Sequence, residues 1–290
     1  MFEFTDLMAF LKPIFLAAIA CAMTYIAVAV DRWRLLRLAP AADVGAAPSI
    51  NLAMAIRIAA VGIAMAGSLS GLAYSGVAGD TGSAALVLVF EGVLMMVLIA
   101  IATVVADIVV VPEIPNTEAI RNGNIAVSIV EGSVLIATGQ IAGASFGSAS
   151  TADIGSGLIS ALVFFVLGQA ILCLIAYAIR KLSTADVIRT LEKGELALAV
   201  VFAAKLFAAG YVMSSIIAGP ATRLTEGLVA FVQNGVIASA MFGVAYYAGL
   251  RIFGLTRAGA AAMTETQDMP RAVRMAGLVV VVAFIASVSM

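Results

Sequence analysis

Four ionisable side chains, Arg57, Glu91, Glu131 and Lys205, interrupt long apolar runs in a sequence of 290 residues that contains no histidine. Charges in such surroundings are costly, and proteins keep them when they pair or carry function. Counted from the starts of their apolar segments at about 1.5 Å per residue, Arg57 and Glu131 lie at a depth of about 10 Å and Lys205 at about 15 Å. Long side chains can span that difference, so the three read as one cluster, with Glu91 a more peripheral member on the opposite half. Attraction to cations and loss of water act on the Glu131 proton in opposite senses, which is the competition a proton-coupled path needs. The cluster therefore reads as a path for an ion or small solute with Glu131 as the exchangeable carboxylate. It reads equally as a salt-bridged lock that fixes helix register and conducts nothing.

Other chemistry starts far behind. Without histidine there is no imidazole for haem, copper or most zinc sites, and the commonest general base is missing. No nucleophile–base pair stands out, and the glycines of 62–71 and 132–147 fall within apolar helical runs rather than between a strand and a helix. The expectation is no enzyme, no cofactor and no metal. A formal net charge of -1 offers nucleic acid no concentrated basic face. Cys21 and Cys173 read as small buried hydrophobes.

The elements that position these residues follow from composition. Hydrophobic residues make up 63% and charged residues 11%, against about 45–50% and 25% in soluble domains, so the lipid bilayer must be the solvent. Apolar segments run approximately over 8–30, 51–76, 84–111, 124–146, 157–180, 195–218, 226–253 and 271–290, which predicts an all-α integral membrane protein of eight transmembrane helices. Of 16 basic residues, 12 lie in or beside alternate connections: Arg32, Arg34, Arg37, Arg121, Arg180, Lys181, Arg189, Lys193, Arg251, Arg257, Arg271 and Arg274. Basic connections are retained in the cytoplasm, which places both termini outside. Asp31-Arg32-Trp33-Arg34 after the first segment marks an uncleaved helix rather than a signal peptide.

Two of the basic connections repeat a recipe. Asn116 to Gly123 and Ser183 to Gly194 each begin with capping residues and end in a glycine, which predicts a short interfacial helix, a turn and a re-entering membrane helix. Asn124-Ile-Ala126-Val-Ser128 aligns with Glu195-Leu-Ala197-Leu-Ala199, and Gly139 with Gly210. Asn51-Leu-Ala53-Met-Ala55 opens the second helix in the same way, and Arg274-Met-Ala276-Gly277 is the degenerate counterpart in the last. The chain thus divides into two pseudo-repeated four-helix units, 1–150 and 151–290. Small residues on the even-numbered helices, including Gly67, Gly139, Gly143, Gly147, Gly210 and Ser214, place those helices at the centre. The amides Gln140, Gln169, Gln233 and Asn234 are expected to bond between helices.

The repeated Asn-x-Ala-x-(Ala/Ser) opening followed by glycines resembles the domain of unknown function 350, the YjfL/YshE-type bacterial membrane proteins, in tandem copy. The resemblance implies a four-helix unit and a bacterial inner-membrane location, and it supplies no activity. The leading expectation is a transport or channel-like protein for a small ion or proton. The alternative is a non-conducting scaffold that docks other envelope proteins through its basic connections. The expected partners are lipid, with self-association or other envelope proteins, and no nucleic acid.

Overall fold

In the computed structural model the described residues are 4–37, 48–74, 81–147, 154–183, 186–218, 224–252 and 268–288. They form ten helices and no strand: α1 (Phe4–Arg37), α2 (Pro48–Tyr74), α3 (Thr81–Val109), α4 (Asn116–Arg121), α5 (Ile125–Gly147), α6 (Ile154–Leu182), α7 (Val187–Glu192), α8 (Leu196–Ile217), α9 (Leu224–Ile252) and α10 (Met269–Val288). Eight are long and apolar enough to cross a membrane, and the short α4 and α7 stand between spans. The basic connections gather at the end that carries α4 and α7, called here the basic end. Arg223 and Arg257, and the side chains of Arg32, Arg34 and Arg37, lie outside the description.

The four even-numbered spans form a central row in the order α2, α5, α8, α10. The odd-numbered spans flank it: α1 packs on α2 and α3, α3 on α5, α6 on α5 and α8, and α9 on α8 and α10. In α5, 83% of the membrane window is buried, against 11% in α9, so α5 is the axis of the bundle. Lipid is as apolar as leucine, so burial of apolar area drives little of this packing; close approach and dispersion must. The α2–α5 seam achieves it with glycine. Gly132 meets Ile56, Gly139 meets the backbone of Ala60, and Gly147 meets that of Gly67. Gly210 of α8 lies against Ala137 of α5. Beyond it, Ala197 and Val201 pack with Ala272 and Met275, and Ala208 with Val279 and Ala283.

Both short helices end alike. After α4 the Gly123 N–H donates to Ile120 O and the Asn124 N–H to Ala119 O; after α7, Gly194 and Glu195 donate to Leu191 O and Thr190 O. Gly123 (φ 89°) and Gly194 (φ 74°) occupy the left-handed position that this paired closure requires. The predicted turn is present in both.

The starts of the helices differ from the sequence reading in four places. Helix α2 begins at Pro48, so Asn51 is exposed one turn inside it rather than at its mouth. The last span opens at Asp268, whose carboxylate accepts the Arg271 N–H; the counterpart of Asn124 is therefore Asp268, six residues before Arg274. Helix α4 has Pro115 at its cap and no side-chain bond there, because Asn116 instead donates its amide to Asp107 at 2.6 Å. Helix α7 is capped by Asp186, which accepts from the Arg189 N–H. Cys21 is exposed on α1 rather than buried, while Cys173 is partly covered, and both are free thiols.

Candidate functional site

Arg57 and Glu131 meet across the α2–α5 seam, one Nη donating to Oε1 at 2.5 Å. Their side chains are 15% and 7% exposed, so the pair is formed in apolar surroundings and not in water. The glycine beside Glu131 brings α2 close enough for the contact, since Gly132 leaves room for Ile56, the neighbour of Arg57. An ion pair this buried is held by mutual need: each charge would be severely penalised without the other.

Glu91 does not join that pair. It accepts a hydrogen bond from the Ser68 hydroxyl, linking α3 to the outer half of α2. Ser68 is buried, and sequence reasoning missed it because a serine within a membrane helix usually bonds its own backbone. Arg57 and Ser68 are eleven residues apart, or about 16 Å along α2. Between them Ala60, Val61, Ala64 and Met65 are all buried and apolar.

Lys205 does not join it either. Its side chain lines a groove on the other side of α8, and among the described residues no carboxylate pairs with it. The four intramembrane charges are therefore one ion pair, one hydrogen-bonded carboxylate and one separate cation. Among the described residues no group of three His, Cys, Asp or Glu could hold a metal ion.

The repeat residues have structural work at the basic end. Asn124 caps α5 by accepting the Val127 N–H at 3.0 Å, and its amide donates to Leu191 O of α7 at 2.8 Å. Buried Ser49, near the start of α2, likewise donates to Ile120 O of α4 at 2.7 Å. In each case the beginning of one central helix closes the end of the short helix leading into the next. Glu195 sits at the cap of α8 without a side-chain cap bond. Among the amides, Gln169 of α6 accepts from Thr138 of α5 at 3.2 Å, as expected of an interhelical bond, and Gln233 is exposed on α9. Tyr177 lies beneath Arg180 and Lys181 at 5.5 and 5.9 Å, an aromatic anchor at the basic end.

Asn124 carries a separable prediction. Asn124→Ala removes both the cap and the tie to α7 and should cost about 1–2 kcal/mol. Asn124→Asp keeps the cap acceptor and loses only the donor, so its melting temperature in detergent should fall between alanine and wild type. An aspartate variant no better than alanine would show that the cap contributes nothing.

A family model described as Domain of Unknown Function (DUF350) matches the chain twice, over residues 6–146 and 153–290. Each match takes in four of the eight spans, in agreement with two pseudo-repeated units. No curated protein and no solved structure matches the chain.

Proposed function

Because the chain belongs to the Domain of Unknown Function (DUF350) family, whose description carries no activity, we propose its role from geometry alone: a non-conducting membrane scaffold. The observation that carries this reading is the closed Arg57–Glu131 pair, separated from the Ser68–Glu91 pair by about 16 Å of buried apolar side chains on α2. Along α2 a proton or ion moving between the two would pass Ala60, Val61, Ala64 and Met65 with no polar group of that helix to receive it. On α5 the buried Ser133 and Ser145 hydroxyls are bound to their own backbone and Thr138 to Gln169. The central row is built for rigidity, through glycine seams and through ties from one helix start to the next short helix.

On this reading the basic end faces the cytoplasm of a bacterial inner membrane and both termini face outward, following the retention of basic connections. Arg121, Arg189, Lys193 and Arg274, interspersed with exposed Glu113, Glu118, Asp186 and Glu192, then offer a mixed charged surface to envelope proteins. The test is flux. Proteoliposomes holding the wild-type protein should dissipate imposed proton, potassium and sodium gradients no faster than protein-free vesicles. A wild-type flux above that background, abolished by Glu131→Gln in a protein that still folds, would replace the scaffold by a transporter.

A further inference from the structure

The groove that takes Lys205 has a volume of about 930 Å³, at the upper end of what small-molecule sites offer. Its floor is α8, its walls are α6 and α9, and Val279 of α10 closes one corner. Its lining is apolar apart from Ser183, Lys205, Ser239 and Tyr246, and contains no aspartate or glutamate. A cation in such a site calls for an anion, and the chain supplies one to Arg57 but, among the described residues, none to Lys205.

The groove is also graded along its length. Lys205 lies nine residues from the start of α8, and helical side chains lean toward the N-terminus, so its amine reaches back toward the basic end. Tyr246 lies six residues, about 9 Å, from the end of α9 at the same side, and Ser183 follows α6 there. Away from that end the lining is Ile171, Val212, Met213, Ile216, Phe231 and Val232. The Phe164 and Phe231 rings, with centroids 5.9 Å apart, join α6 to α9 beyond it. From Phe231 to Tyr246 the groove runs about 22 Å, longer than half of a hydrocarbon core of about 30 Å. With its cation and phenol toward one end and only the Ser239 hydroxyl among apolar side chains for the rest, it has the polarity of a lipid in the leaflet at the basic end.

Among the described residues the corresponding place in the first unit is closed. There α1 packs directly on α3, and Met23 and Met65 close on Gly92. The open groove holds Lys205, for which no carboxylate partner is found among the described residues.

We propose that the α6–α8–α9 groove is a binding site for an anionic phospholipid, its phosphate held by Lys205 and Tyr246 and an acyl chain lying along α8. Basic pockets between membrane helices recognise anionic headgroups by the same attraction. The site is independent of the scaffold reading, since a transporter could hold the lipid equally well and the flux assay does not probe it.

The experiment is native mass spectrometry of protein delipidated in mild detergent and offered phosphatidylglycerol, phosphatidylcholine or oleate, with melting temperature read in parallel. Wild type should retain phosphatidylglycerol at least tenfold better than phosphatidylcholine and melt several degrees higher with it. Lys205→Met, which keeps the apolar stem, should fold and lose that preference. At Gly235, which lines the groove, an added Cβ meets nothing within 4 Å, so a ring at this position has the groove itself to enter, and Gly235→Phe should fold and bind neither phospholipid. Equal retention of the two phospholipids, an unchanged preference in Lys205→Met, or tighter binding of oleate than of phosphatidylglycerol would each overturn the assignment. If neither variant folds, Tyr246→Phe must weaken phosphatidylglycerol retention in a protein of wild-type stability; unaltered retention overturns it.

Discussion

Gly139→Val should leave no folded protein: detergent extracts are expected to yield aggregate in place of a monodisperse peak. The position is buried on the axis of the bundle, and a side chain added there collides with the carbonyl oxygen and carbonyl carbon of Ala60. Those are backbone atoms of α2, so relief requires the two helices to separate. Overpacking in a core costs about 1–3 kcal/mol where side chains can rearrange, and more where they cannot. Separation would also loosen the Gly147–Gly67 contact on the same seam and draw Arg57 away from Glu131. Against a total stability of about 5–15 kcal/mol, losses at three places along one seam are decisive. Gly62 is the control. It is on α2 as well, yet a side chain there meets nothing within 4 Å, so Gly62→Ala should melt like wild type or slightly above it, because alanine favours helix. A Gly139→Val protein that elutes and melts normally would mean that the α2–α5 seam is not as close as the structure has it.

That seam was legible in the sequence because glycine in a membrane helix has one dominant use. Gly139, Gly143 and Gly147 form a ridge at a spacing of four, and the structure turns that ridge onto α2. The eight spans and the interfacial helices with their glycine turns were legible for similar reasons: segment length and positive φ are local properties. The partner of a charge is not local. Depth alone placed Lys205 beside Glu131, but direction around the helix decides the contact. Gly210 faces α5, and five residues at about 100° each put Lys205 about 140° away from it. Ala208, which packs on α10, is three residues away and much nearer in direction. The helix starts were hidden for another reason. Ser49, Asn124 and Asp268 serve equivalent ends with different atoms, as donor only, as donor and acceptor, and as acceptor only, so no shared motif marks them.

Removing the Glu131 carboxylate should be the second-largest loss. Glu131→Leu leaves the Arg57 guanidinium buried without its counter-charge, and breaking a buried pair from one side costs about 3–5 kcal/mol. Replacing both partners removes the stranded charge along with the attraction, and such exchanges are often neutral or stabilising. Arg57→Met with Glu131→Leu should therefore recover most of the stability that Glu131→Leu loses, as measured by thermal denaturation in one detergent. Lys205→Met with Glu131→Leu should show no such recovery, since Lys205 lies across α8 in the groove and shares no bond with Glu131. The cycle distinguishes the arrangement seen here from a three-residue cluster, in which neutralising Lys205 would also relieve the imbalance. Rescue through Lys205, or no rescue through Arg57, would remove the paired lock on which the scaffold reading stands. Rescue through Arg57 alone, in a protein that still passes no ions, is what a fastening between α2 and α5 requires. The carboxylate could then be dispensed with, provided its cation left with it.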